Sequence, residues 1–120
     1  EEFLSIEEMG FGQSLFFSNS IAGTIAPTGL RQLHGITVNT VHGNAIAIEA
    51  IRKRLAENLT IESMEGAAVL HAAHKRNTPV IQVRAISNYV EPRDTSRWDI
   101  PLAIQNLHEW LREYLISQQR

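Results

Sequence analysis

The sequence predicts an α/β layered fold in which helices pack on a largely parallel sheet. Three observations carry that prediction. Short β-branched segments alternate with segments of helical periodicity, in the order strand, helix, strand, helix, strand, helix. One strand, Val80 to Ser87, places Val80 and Ile86 on one face and Ile81 and Val83 on the other, as an inner strand covered by helices does. Three polar clusters, Thr40 to Asn44, Glu62 to Gly66 and Ser87 to Arg97, follow the three strands. Ligands of open α/β sheets gather at such carboxyl ends.

The first third, Glu1 to His34, is rich in breakers (Gly10, Gly12, Gly23, Pro27, Gly29) and reads as short strands and loops, with a strand ending at Phe16-Phe17. Ile36-Thr37-Val38-Asn39-Thr40-Val41 is short and β-branched, which predicts the first clear strand. Gly43-Asn44 breaks it, and Asn44 is a helix cap. Ala47, Ile48, Ile51 and Leu55 then recur at helical spacing, with Arg52, Lys53 and Glu57 on the other side, to a helix end near Asn58. Leu59 to Glu62 reads as a second strand, and Ser63 as the cap of an alanine-rich helix from Met64 to Lys75. Pro79 stops that helix and opens the strand from Val80. After the polar loop Asn88 to Arg97, Asp99 and Pro101 mark a helix start. Ile104, Leu107, Leu111, Tyr114 and Leu115 form that helix's apolar stripe.

Composition narrows the function. A chain of 120 residues suits one domain with a modest core. A net charge of −2 and a pI near 6.2 leave no electrostatic footprint for nucleic acid. No apolar stretch approaches the ~20 residues of a membrane span, so neither nucleic acid nor membrane is expected as a partner. The chain has no cysteine, which excludes thiol chemistry and is compatible with the cytoplasm, the expected location. It starts Glu1-Glu2-Phe3-Leu4 without a methionine, as a processed, tagged or truncated end would. No dinucleotide fingerprint, Walker loop or zinc signature occurs. His71 and His74 share a helix face but lack a third ligand, and His108 is equally bland. No cofactor and no metal are therefore expected.

Glu65 is the residue most suited to chemistry. An acid just beyond a strand, in the first turn of a helix, is favoured by the helix dipole, and that alone accounts for many such residues. Its two acceptor oxygens also match a vicinal diol, such as that of a ribose. Gly66 permits close approach, and Met64 serves equally as core or as a soft floor under a sugar. Arg84, between apolar neighbours, reads as a structural residue needing an acidic partner near Glu62. His42 reads as a surface loop residue, with a base contact or a proton carrier as the alternative.

Glu62-Ser63-Met64-Glu65-Gly66-Ala67-Ala68, followed by Val83-Arg84-Ala85-Ile86-Ser87-Asn88, resembles the purine nucleoside phosphorylase and nucleosidase superfamily. Ser87-Asn88-Tyr89-Val90-Glu91-Pro92-Arg93 and Trp98 to Ile104 are most similar to its futalosine hydrolase branch. The resemblance runs from about Gly35 to Leu107. It implies a three-layer α/β/α nucleoside phosphorylase-like fold, with residues 1–120 forming the C-terminal portion of a single domain. It implies that Met64 and Glu65 grip the ribose, that Thr40 and Val41 line the base pocket, and that Asn88 is the catalytic contact to the leaving purine. Adenine-releasing relatives carry an aspartate at the Asn88 position. An amide offers one donor and one acceptor set but no acidic proton, which points to a 6-oxopurine such as hypoxanthine.

The activity so implied is an N-ribosyl hydrolase that cleaves futalosine to hypoxanthine and dehypoxanthine futalosine, in menaquinone biosynthesis. Arg93 or Arg97 would bind the benzoate carboxylate of that substrate through a planar fork. Two alternatives stay open, a purine nucleoside phosphorylase that uses phosphate and a non-catalytic nucleoside-binding module. The resemblance also implies a homo-oligomer, dimer or larger. The family's water-activating carboxylate and its glycine-rich phosphate segment precede the part seen here, so this polypeptide alone is expected to be inactive or weak.

Overall fold

The computed structural model describes residues 7–10, 12–16, 28–55 and 58–119. Its elements are β1 (His34–Thr37), α1 (Ala45–Leu55), β2 (Thr60–Ser63), α2 (Gly66–Lys75), a 3-10 turn (Thr95–Arg97) and α3 (Ile100–Ser117). β1 and β2 pair in parallel, His34 opposite Thr60 and Thr37 opposite Ser63. Val38 N–H donates to the Ser63 carbonyl at 2.9 Å and carries the ladder one residue further. Both strands therefore end at the same edge, and the segments after Thr37 and Ser63 leave from it together.

The helices begin and end for local reasons. Asn44 caps α1, its Oδ1 accepting from Ala47 N–H at 2.8 Å. Arg52, Lys53 and Arg54 close α1, where cations complement the helix dipole. α2 ends in a left-handed Asn77 at φ 49°, a conformation asparagine tolerates at a helix C-terminus. Thr78 N–H returns to the Ala73 carbonyl at 2.9 Å, an acceptor it shares with Arg76 N–H at 3.1 Å, and so ties the chain back to the last turn before Pro79. Asp99 caps α3 through Leu102 N–H at 3.0 Å, and Pro101 stands in its first turn.

Four sequence expectations are corrected. Ser63 does not cap α2. It is the last residue of β2, held extended by the ladder, and the helix starts at Gly66 rather than Met64. Thr37 of β1 supplies the missing cap from across the sheet, its Oγ1 accepting from Ala67 N–H at 2.8 Å. β1 is shorter and earlier than the expected strand from Ile36 to Val41, because the Asn39-Thr40 bend ends the pairing. Val80 to Ser87 forms a single bridge at Val80 and no continuous strand. The sheet has two strands, β1 and β2, among the described residues. A strand needs a ladder partner as well as propensity, and residues 81–87 have none there.

The expected early strands fall largely outside the described residues, as do Phe17 and Glu57. Residues 12–16 and 28–33 contain no strand. Phe16 packs edge-on against the His71 ring, with centroids 5.3 Å apart, so that face of α2 is a packing face.

Burial is sparse. Among the described residues only Ile48 and Ala103 are buried apolar side chains. Leu107, Leu111 and Leu115 of the α3 stripe stay exposed. The radius of gyration is 16.5 Å, against about 13–14 Å for a compact domain of this length. Among the described residues the elements are thus organised by hydrogen bonds more than by a closed core. No helix among the described residues is long and apolar enough to cross a membrane.

Candidate active site

The cleft has a volume of about 810 Å³, within the range of small-molecule sites. His42, Glu62, Asn88 and Arg93 line it with polar groups, and Val41 and Trp98 stand beside them. Ile48 and Ile51 of α1 and Ile61 of β2 contribute to its apolar wall. All three polar clusters predicted to converge are represented, through Val41, Glu62 and Asn88.

Two backbone contacts hold the clusters together. Arg93 N–H donates to the Gly43 carbonyl at 2.9 Å, which clamps the loop after Asn88 onto the loop after β1. A Cβ on Gly43 would stand 3.4 Å from the Cβ of Arg93, in ordinary van der Waals contact. Asp99 N–H donates to the Ser87 carbonyl at 2.9 Å and fastens the head of α3 to the same segment.

Asn88 sits half-buried in the wall. Its Oδ1 accepts from Ser87 Oγ at 2.7 Å and its Nδ2 donates to the Tyr89 carbonyl at 2.9 Å. An amide has two donors and two lone pairs. One N–H and one lone pair therefore stay available, enough for a donor–acceptor edge of a base.

Glu62 and His42 form the most tightly engaged pair in the cleft. The Glu62 side chain is 8% exposed and that of His42 20%. Glu62 Oε1 accepts from His42 N–H at 2.9 Å, and Glu62 Oε2 contacts His42 Nδ1. One carboxylate thus fixes both the backbone and the ring of the same residue. This corrects two expectations. His42 is not a surface loop histidine, and Arg84 has no acidic partner at Glu62. Arg84 is exposed and donates to Gln82 Oε1 at 3.0 Å. An acid inside a strand next to Ile61 was the available signal for a buried partner. That the partner lay 20 residues back was not readable from spacing.

Glu65 stands at the cap position of α2, one residue before the helix, with φ −120°. Its side chain makes no capping bond, because Thr37 takes that role. The carboxylate is exposed and has no partner among the described residues. Gly66 behind it is buried. A Cβ there would meet Ser63 Oγ at 3.0 Å, Gln82 Oε1 at 3.2 Å and an Arg84 guanidinium nitrogen at 3.3 Å. Gln82 Nε2 also donates to the Gly66 carbonyl at 2.7 Å. The close approach expected at Gly66 is that of these side chains.

Of the predicted site residues, Val41, Asn88 and Arg93 reach the cleft wall and Thr40, Met64, Glu65 and Arg97 do not. Thr40, Met64 and Glu65 lie exposed just beyond the ends of β1 and β2. The two arginines differ. Arg97 is paired with Glu91 at 2.7 Å, whereas the Arg93 guanidinium lies 5.7 Å from the centroid of the Trp98 ring, a cation–π distance. Among the described residues no group of three His, Asp or Glu side chains is arranged to hold a metal.

The futalosine hydrolase of Streptomyces coelicolor is 35% identical over 107 residues, covering 88% of this chain and 45% of the relative. The futalosine hydrolase of Acidothermus cellulolyticus is 35% identical over 89 residues, covering 72% of this chain and 36% of the relative. The chain spans less than half the length of these curated relatives. No solved structure matches it. The phosphorylase superfamily matches residues 34–116, from the first residue of β1 almost to the end of α3. This mixed α/β chain with parallel strands belongs to the phosphorylase superfamily.

Proposed function

We propose that this chain carries the ribose- and base-binding part of a purine nucleosidase that acts on futalosine or a close 6-oxopurine nucleoside. One observation carries the reading. An amide with a free donor and a free acceptor, Asn88, lines a cleft at the edge of the sheet where the unpartnered carboxylate of Glu65 also emerges. The kinship with two futalosine hydrolases supports the same substrate class.

In this reading Glu65 accepts from the two ribose hydroxyls, and Met64 lies under the sugar. Thr40 and Val41 border the base, and Asn88 hydrogen-bonds it as it leaves. Breaking the bond between C1′ and the purine nitrogen passes through an oxocarbenium-like state. A fixed carboxylate at the sugar favours that positive charge. Arg93 is the better of the two arginines for a substrate carboxylate, because the guanidinium of Arg97 is already held by Glu91. Alanine at Arg93 is expected to raise KM for a carboxylated nucleoside more than alanine at Arg97 does. Equal KM values in the two variants would remove that assignment. Hypoxanthine as product, a role in menaquinone biosynthesis, a cytoplasmic location and a homo-oligomeric assembly belong to the same proposal.

The deciding experiment is a nucleoside panel, adenosine-, inosine- and futalosine-type, assayed on the full-length protein with and without phosphate. Release of hypoxanthine from futalosine without phosphate is the expected result. Release that depends on phosphate would make the protein a phosphorylase. Binding without turnover would make it a nucleoside-binding module.

A further inference from the structure

We propose that His42 is the proton donor to the departing purine, with Glu62 as its positioning residue. The inference rests on the nucleosidase reading above and deepens it. Purine departure builds negative charge on the base, and a proton supplied in the transition state relieves it. Asn88 has no acidic proton to give. Among the described residues that line the cleft, His42 is the one histidine, the side chain type best suited to carry a proton near neutrality.

The geometry around His42 is that of a prepared acid. Glu62 holds the ring through Nδ1 and the backbone through N–H, so the imidazole has one orientation. Both carboxylate oxygens are consumed by His42, and the carboxylate is almost fully withdrawn from solvent. A buried carboxylate on Nδ1 fixes the ring's orientation, as the aspartate of a Ser-His-Asp triad does. It also leaves Nε2 as the ring nitrogen without a partner among the described residues. The loop that carries His42 is clamped to the Asn88 loop by the Arg93–Gly43 bond, so both residues address the same ligand.

The step balances as follows. The bond between C1′ and the purine nitrogen breaks, and its electron pair passes into the base. The Nε2–H of the imidazolium transfers its proton to a basic ring nitrogen of the purine. Water forms the new bond to C1′ and releases one proton to solvent, and solvent returns one proton to His42. Nucleoside plus water becomes free sugar plus neutral purine.

The test is a pair of substrates on the full-length protein. One is inosine or futalosine, whichever the wild type cleaves. The other is 4-nitrophenyl β-riboside, whose leaving group departs without a proton. His42→Asn keeps an amide that reaches Glu62 but lacks Nε2. It is expected to lower kcat on the purine nucleoside by about 100-fold or more, with KM within about threefold. The loss on the nitrophenyl substrate is expected to be at least tenfold smaller. Glu62→Gln, which keeps one acceptor for the His42 N–H, is expected to show the same selectivity with a kcat loss of about tenfold. It carries the test if the His42 variant does not fold, as judged by thermal melting. Wild-type kcat on the purine nucleoside in a folded His42→Asn protein overturns the proposal. Equal losses on both substrates do the same, since they mark a merely structural role. A wild-type protein that cleaves no purine nucleoside overturns the nucleosidase reading as well, which tells the two failures apart.

Discussion

Two carboxylates three residues apart, Glu62 inside the cleft and Glu65 on the shelf beyond β2, have opposite fates. Glu62 is almost buried and spends both oxygens on His42. Glu65 is exposed and spends none on any of the described residues. The division follows from the turn between them. Ladder pairing keeps Glu62 in β2, opposite Ile36, while Glu65 lies past the ladder at the cap of α2. Thr37 takes the capping duty that a residue at this place would otherwise serve, so the Glu65 carboxylate owes nothing to the fold. A carboxylate with structural partners is costly to remove from a folded protein. One without partners is free to serve a ligand.

The largest expected effect falls on the shelf. Two hydrogen bonds from a charged acceptor to ribose hydroxyls, at about 1.5–3 kcal/mol each, imply that Glu65→Ala loses at least about 100-fold in kcat/KM. Its thermal stability should stay within about 0.5 kcal/mol of wild type, as for an exposed residue without partners. Normal turnover by this variant would break the contrast, and steady-state kinetics with melting curves read both sides of it.

Glu62→Ala is the converse. It strands the N–H and Nδ1 of His42 in a half-buried site, at about 1–3 kcal/mol per unsatisfied group. A stability loss of about 2–4 kcal/mol is expected in denaturant unfolding. An unchanged midpoint would show that the pair contributes nothing to the fold.

Gly66→Ala sharpens the boundary between the two regions. The new Cβ crowds Ser63 and Gln82, and shifting Gln82 endangers its bond to the Gly66 carbonyl. A gain in helix propensity of up to about 1 kcal/mol opposes this. The net expectation is a loss of about 1 kcal/mol, in keeping with overpacking of a tight site, and a weaker ribose grip because Glu65 is the preceding residue. A stabilised variant with wild-type KM would show that the crowding relaxes freely.

The smallest effect lies at the rim. Asp94 accepts from the Ser96 hydroxyl at 2.6 Å and from Ser96 N–H at 3.1 Å, and these bonds hold its carboxyl below the ordinary aspartate range. A depressed folded-state value means that the contribution is present above the unfolded value and is lost as pH falls through the folded one. The Thr95–Arg97 turn should therefore loosen on strong acidification, below the ordinary aspartate range, while the ends of β1 and β2 hold. Amide exchange of Ser96 against Val38 across a pH series reads the difference. Equal behaviour of the two amides would count against it.

Much of this was legible from local pattern. Asn44 and Asp99 were identifiable as caps because a cap and the N–H it fills lie three residues apart. The α1 and α3 periodicities are likewise local. The motifs around Glu65 and Asn88 point to the nucleoside phosphorylase superfamily, and the superfamily match bears out that family. The misses share one cause. Thr37 caps a helix from 30 residues away, and Glu62 finds His42 from 20. No periodicity encodes such a contact.

The sequence by itself determined the order of two strands and three helices from β1 to α3, the caps of α1 and α3, and the chemical types gathered beyond the strands. Propensity, hydrophobic spacing and the caps of α1 and α3 act within a few residues, and they do not depend on where the chain goes next. Tertiary structure alone decided which polar groups are consumed and which are left over. It placed Val80 to Ser87 beside the sheet without a ladder, gave Arg97 to Glu91, and gave both oxygens of Glu62 to His42. The reason is that a hydrogen bond needs its two partners within about 3 Å. For residues far apart in sequence, only the folded path of the backbone supplies that distance.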